Sequence, residues 1–181
     1  MTANHRANHR ATPGRRLAGG LRRVITAWAL VGGCLLLGIV AVNVLAVASG
    51  VAGQRITGDF EITEMLVAVA VFCFLPYCQM TDANVTADIF TARASPRMIA
   101  VLRLAASVVA LAFAALLLWR MGLGMGDQRR FGYRTTILQI PIWWAFVPIL
   151  VSLTLLVAAS ALTLIESGRR MARPEEARDA R

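Results

Sequence analysis

Four stretches of this chain carry no charged side chain, and they are long. Val24–Gln54 and Thr135–Ile165 each run 31 residues, Met65–Thr81 runs 17 and Leu104–Trp119 runs 16. A helix needs about 20 mostly apolar residues to cross the roughly 30 Å hydrocarbon core of a bilayer. The first and last runs meet that length outright. The middle two meet it once their flanking charged residues are included. Leu104–Trp119 alone covers only about 24 Å. Arg103 and Arg120 at its ends can lay their stems along the helix and lift their guanidinium groups to the headgroups. The composition agrees: 57% of the residues are hydrophobic and the mean hydropathy is +0.63, too apolar for an ordinary soluble domain.

The expected fold is therefore an all-α integral membrane protein with four transmembrane helices, at about residues 24–51, 59–80, 96–121 and 140–165. They make one membrane domain over 24–166, between a basic tail (1–23) and a charged tail (167–181). Gly53 to Gly58 read as a short loop, and Pro76 as a kink in the second helix. Ser95-Pro96 reads as the start of the third helix, with Ser as N-cap and Pro at the first helical position. Gly122, Gly124 and Gly126 read as its end. Pro141 is placed for the first turn of the fourth helix. The first apolar run exceeds the 7–15 residues typical of a signal peptide, which predicts an uncleaved span.

The net charge is +9, and every basic residue is Arg. These Arg flank the apolar runs, which suits topology control and argues against a nucleic acid partner. With four spans, one side receives Arg6, Arg10, Arg15, Arg16, Arg22, Arg23, Arg93, Arg97, Arg103, Arg169, Arg170, Arg173, Arg178 and Arg181, which is 14. The other side receives Arg55, Arg120, Arg129, Arg130 and Arg134, which is five. The positive-inside bias then places both termini in the cytoplasm. It also places Thr81–Phe90 there, so that the sequon Asn84-Val85-Thr86 is never glycosylated.

Little in the sequence points to catalysis. Both histidines, His5 and His9, lie in the N-terminal tail. Cys34, Cys73 and Cys78 form no metal-binding spacing and read as buried inert thiols. No metal or cofactor is implied, and the spans lack the charged groups that ion translocation uses at mid-membrane. Glu61 and Glu64 share a face at the start of the second helix. There they can favour the helix dipole or meet a partner subunit. Asp88 reads as an interfacial carboxylate beside Arg93 and Arg97. Gly122, Gly124 and Gly126 lack the GK[ST] and the preceding strand of a phosphate loop. Arg129, Arg130 and Arg134 make a basic patch on the side that statistics keep poor in cations, and an acidic partner surface is one use for it. Trp143 and Trp144 fit the aromatic belt at the water–lipid interface.

The order of these features resembles the small membrane subunit, DctQ-type, of tripartite ATP-independent periplasmic (TRAP) transporters. The resemblance covers roughly Val24 to Arg170. It rests on the acidic pair Glu61 and Glu64, the polar "ANVTADIF" after the second helix, the proline-started third helix and "TTILQIPIWWAFVPIL". Within these, Val85 and Asp88 match the family's pattern, as do Thr136, Leu138, Ile140, Pro141, Trp143 and Trp144, while Asn84 stands where the family has a His. The resemblance implies a multi-pass subunit of a bacterial inner membrane. Its partners would be a large membrane subunit that binds substrate and sodium and a periplasmic binding protein that delivers an organic acid. Its own role would be to hold the large subunit in the bilayer and help dock the binding protein. The small subunit of a different tripartite carboxylate system, or a free-standing structural membrane protein, are the alternatives.

Overall fold

A computed structural model describes residues 13–54, 57–81 and 96–172. Four helices account for nearly all of them: α1 (Pro13–Val51), α2 (Asp59–Met80), α3 (Pro96–Phe131) and α4 (Trp143–Ala172). Each is long and apolar enough to cross a membrane. Among the described residues there is no strand, only one isolated antiparallel bridge between Arg134 and Pro141. Asn84 and Asp88 lie outside the described residues, as does the rest of 82–95.

Four helix ends differ from the reading of the sequence. α1 begins at Pro13 rather than near Val24, so half of the basic tail is helical. At 39 residues it is about 58 Å long, roughly twice the hydrocarbon core, and it must project beyond the bilayer. α4 begins at Trp143, two residues past Pro141, and continues to Ala172 rather than stopping at 165.

The C-terminal end of α3 also lies elsewhere. α3 does not end at Gly122, Gly124 or Gly126 but runs through all three to Phe131. A glycine ends a helix only where the chain turns left-handed, and the one that does so is Gly132, at φ +65°. The Tyr133 N–H reaches back to the Gln128 carbonyl at 3.3 Å, the longer bond of a Schellman closure. Arg129 and Arg130 therefore belong to the last helical turn, where the dipole favours cations. Arg120 is an exposed residue inside α3 and not its boundary.

In space α1 lies on α2, α2 on α4 and α4 on α3, while α1 barely meets α4. The buried apolar cluster joins α2, α3 and α4 through Val69, Cys73, Ala114, Ile149, Leu153 and Leu156. Close approach of α1 to α2 is set by Gly32: a Cβ there would lie 2.8 Å from the Cβ of Cys73. Small residues of this kind let membrane helices pack backbone to backbone. Of the three cysteines only Cys73 is buried; Cys78 is half-buried and Cys34 faces out of the bundle, contrary to the expected burial of all three.

Lone polar groups inside the apolar runs link the helices pairwise. Trp28 Nε1 donates to Ser152 Oγ at 2.9 Å, tying α1 to α4, and Ser152 donates to the Pro148 carbonyl one turn back. Asn43 Nδ2 donates to Thr63 Oγ1 at 3.1 Å, tying α1 to α2. Ser107 and Ser167 share a hydroxyl bond of 3.3 Å between α3 and α4. Such bonds have no competing water in a membrane interior and fix rotation of one helix against the next. Arg22 and Glu166 form the one ion pair among the described residues, at 3.2 Å. Both side chains are largely exposed there, so the pair adds little stability. It brings the N-terminal part of α1 and the C-terminal part of α4 to the same end of the bundle.

Candidate functional site: a clamped loop between α3 and α4

The loop between α3 and α4 gathers most of the residues that the sequence singled out. After Gly132 the chain runs out and back: Thr135 N–H donates to the Ile140 carbonyl at 3.0 Å, and Ile142 N–H to the Tyr133 carbonyl at 3.2 Å. Pro141 sits within this antiparallel pairing, opposite Arg134, at a place where no N–H is needed. Thr135 Oγ1 accepts the Ile140 N–H at 3.1 Å. Gln139 takes the left-handed conformation, at φ +56°. The Trp144 N–H then donates to the Pro141 carbonyl and α4 begins.

The tip of the loop is held from outside by α2. Glu61 Oε1 accepts the Ile137 N–H at 2.7 Å, and Oε2 accepts the Leu138 N–H at 2.9 Å. Two successive backbone N–H groups turned toward one anion form a concave anion seat, and the carboxylate makes both bonds charge-assisted. Three residues earlier, Gly58 stands at φ +93° before the first turn of α2. A Cβ on it would lie 2.5 Å from Leu138 Cγ. Glu61 and Gly58 thus grip the same loop, one by its backbone and the other by the Leu138 side chain.

The two acidic residues of α2 therefore part company. Glu61 is committed to the loop, whereas Glu64 is exposed and makes no bond to it among the described residues. The basic patch also divides. Arg129 lies over the Trp143 ring, its guanidinium carbon 5.3 Å from the centroid. Arg134 donates to the Gln139 carbonyl at 3.2 Å across the base of the loop. Arg130 is exposed and has no partner among the described residues. Trp143 packs edge-on against Trp144 at 6.2 Å, with Trp144 on the outside of the bundle. Arg129, Trp143 and the loop thus form one block.

Among the described residues no group of His, Cys, Asp or Glu could hold a metal ion. A cleft of 190 Å³ between α2, α3 and α4 is lined by Leu75, Phe113, Leu117 and Leu156, with Gln79 as its polar member. What the block offers is a shaped surface on rigid supports, on which Arg129, Arg130 and Arg134 are all exposed.

Reading the sequence missed the grip itself. In the sequence Gly58 reads as the end of a short loop, and nothing there marks the roles of Thr135, Ser152 and Gly32. A lone amide inside an apolar run is a signal for Asn43, since such a group seeks a partner. No signal in the sequence marks Glu61 as the acceptor of backbone groups 76 and 77 positions away.

The model of one protein family, described as Tripartite ATP-independent periplasmic transporters, DctQ component, matches residues 36–170. No curated protein and no solved structure matches the chain.

Proposed function

The chain belongs to the DctQ component family of tripartite ATP-independent periplasmic transporters, and from that premise we propose how it serves as the small subunit. It is an accessory scaffold. It holds a large membrane subunit in the bilayer of a bacterial inner membrane and presents a docking surface to a periplasmic binding protein. The transporter is a secondary, sodium-coupled system that takes up a small solute of the organic acid class. Both termini are cytoplasmic, and the clamped loop faces the periplasm.

The match over residues 36–170 carries this reading. The helix faces support it. α1 and α3 flank the bundle and leave Leu30, Leu37, Val44 and Leu45, and Val109, Phe113 and Leu116, exposed. Those faces suit lipid or another membrane subunit. The 14-to-5 distribution of Arg supports the orientation. Arg129, Arg130 and Arg134 then lie on the side from which a soluble binding protein approaches, and an acidic face on that protein would complement them.

A pull-down of the tagged chain from its native membrane in mild detergent tests the assembly. Recovery of a larger multi-span protein in about equal amount supports the reading, following the stoichiometry of a closed complex. Recovery of the chain alone, under conditions that keep membrane complexes intact, favours a free-standing membrane protein. Replacing Arg129, Arg130 and Arg134 together by Gln tests the docking surface. Binding of the periplasmic protein should weaken while the complex with the large subunit persists.

A further inference from the structure

We propose that Glu61 is a positioning residue for docking: its carboxylate fixes the Tyr133–Ile142 loop in the shape that presents Arg134, beside Arg130 at the end of α3, to the binding protein. The inference rests on the docking surface proposed above and assigns its geometry to a side chain on another helix.

The loop's own bonds run from Thr135 N–H to the Ile140 carbonyl, from Ile142 N–H to the Tyr133 carbonyl, from Ile140 N–H to Thr135 Oγ1, from Arg134 to the Gln139 carbonyl and from Gln139 Nε2 to the Thr136 carbonyl, and none of them uses the N–H groups of Ile137 and Leu138. Arg134 opens the loop, and Gln139, whose carbonyl it meets, stands in the left-handed conformation. The tip between them has its N–H groups at Ile137 and Leu138 turned away from the loop and onto Glu61. Without that acceptor, the two adjacent N–H groups turn to solvent and the turn loses the anion that organises it. Leu138 would keep its seat at Gly58, but a single apolar contact on an exposed tip fixes position poorly.

A surface that must receive a partner gains affinity from being held in the bound shape beforehand, because ordering it on contact costs binding energy. Arg129 is fixed by Trp143 and by its place in α3. Arg134 is fixed only by the loop. Glu61 therefore acts on docking through Arg134, whereas Arg130, like Arg129, is carried by α3. The charge of Glu61 makes a sharp distinction possible. If it acted only as a nearby negative charge, removing it would make the patch more positive and tighten binding of an acidic partner. As a clamp, its removal loosens binding.

The test uses the whole complex with its large subunit in nanodiscs and the fluorescently labelled periplasmic binding protein. The dissociation constant is measured for the native chain, for Glu61→Gln, for Leu138→Ala and for Glu64→Gln. Glu61→Gln should weaken binding about tenfold, the factor that corresponds to one charge-assisted bond. Hydrogen exchange of the loop amides should rise while the complex stays assembled. Leu138→Ala should weaken binding in the same direction, and Glu64→Gln should not weaken it. Unchanged or tighter binding by Glu61→Gln overturns the inference. So does loss of assembly in both Glu61→Gln and Leu138→Ala, which would make the clamp a matter of folding alone. The Arg129, Arg130 and Arg134 triple variant is run beside them. If it also leaves binding unchanged, the docking surface itself is wrong. If it alone weakens binding, the surface stands and only the role of Glu61 falls.

Discussion

Leu138 occupies the space where Gly58 has no side chain: a Cβ on Gly58 would meet Leu138 Cγ at 2.5 Å and both of its methyl carbons at 2.9 Å. The contact joins the start of α2 to the loop before α4, and it depends on glycine twice, since Gly58 is also left-handed at φ +93°. Gly58→Ala should cost about 1–2 kcal/mol from the backbone alone. The clash with Leu138 adds to that. Adding Leu138→Ala to Gly58→Ala should recover the clash and leave the backbone cost. Thermal unfolding in detergent of the two singles and the double would show this. A double variant as stable as the native chain would mean that the φ angle carries no strain.

The same contact shows what a sequence can and cannot disclose. Four spans were legible because a charge-free run of 31 residues has few places to go but a bilayer, and the family was legible from the order of short motifs. Helix ends were less so. Three glycines at 122, 124 and 126 looked like a stop, yet leucine, methionine and the following polar residues carry the helix on to Gly132. Glycine marks a stop only through a conformation that composition does not report. The clamp was not legible at all. Glu61 bonds to backbone N–H groups, which every residue but proline possesses, so the partner leaves no mark on the sequence.

Gly32 and Gly33 are neighbours with opposite expectations. A Cβ on Gly32 would lie 2.8 Å from the Cβ of Cys73 and 3.4 Å from the Phe74 ring, whereas Gly33 has nothing within 4 Å. Gly32→Ala should force α1 away from α2 at a cost of about 1–3 kcal/mol. Gly33→Ala should be neutral or stabilise by up to about 1 kcal/mol, through its better helix propensity. Cys73→Ala should not rescue Gly32→Ala, because the Cβ that causes the clash remains. Unfolding midpoints for the three chains decide this. Equal effects at both glycines would mean that α1 and α2 do not cross at Gly32.

Ser152 serves two helices at once. It accepts from Trp28 Nε1 and donates to the Pro148 carbonyl, with Cys73 Sγ 3.8 Å from the same hydroxyl. Ser152→Ala leaves the indole N–H without its acceptor inside an apolar bundle. Interhelical bonds of this kind are worth about 0.6 kcal/mol on average and up to about 1.7. A cycle of Ser152→Ala, Trp28→Phe and the double should give a coupling energy in that range. Zero coupling would mean that this bond does not help to hold α1 against α4.

Arg129 and Arg130 are adjacent in sequence but differ in what they can reveal. Arg129 lies 5.3 Å from the centre of the half-buried Trp143 ring, so its removal has a structural cost of about 0.5–1 kcal/mol. Arg130 is exposed and has no partner among the described residues, so its removal should lose only the small interaction of its charge with the end of α3. If the surface receives an acidic face of a binding protein, Arg130→Gln should weaken that binding with little change in unfolding temperature, and more so at low salt. Arg129→Gln should change both. Arg129→Lys should keep some of the stacking and the charge, and so fall between. Binding measured at two ionic strengths, beside melting curves, separates these cases. A binding loss for Arg129→Gln with none for Arg130→Gln would trace the effect to disturbance of the Trp143 block. Charge recognition by the patch would then have no support, since its freest cation would contribute nothing.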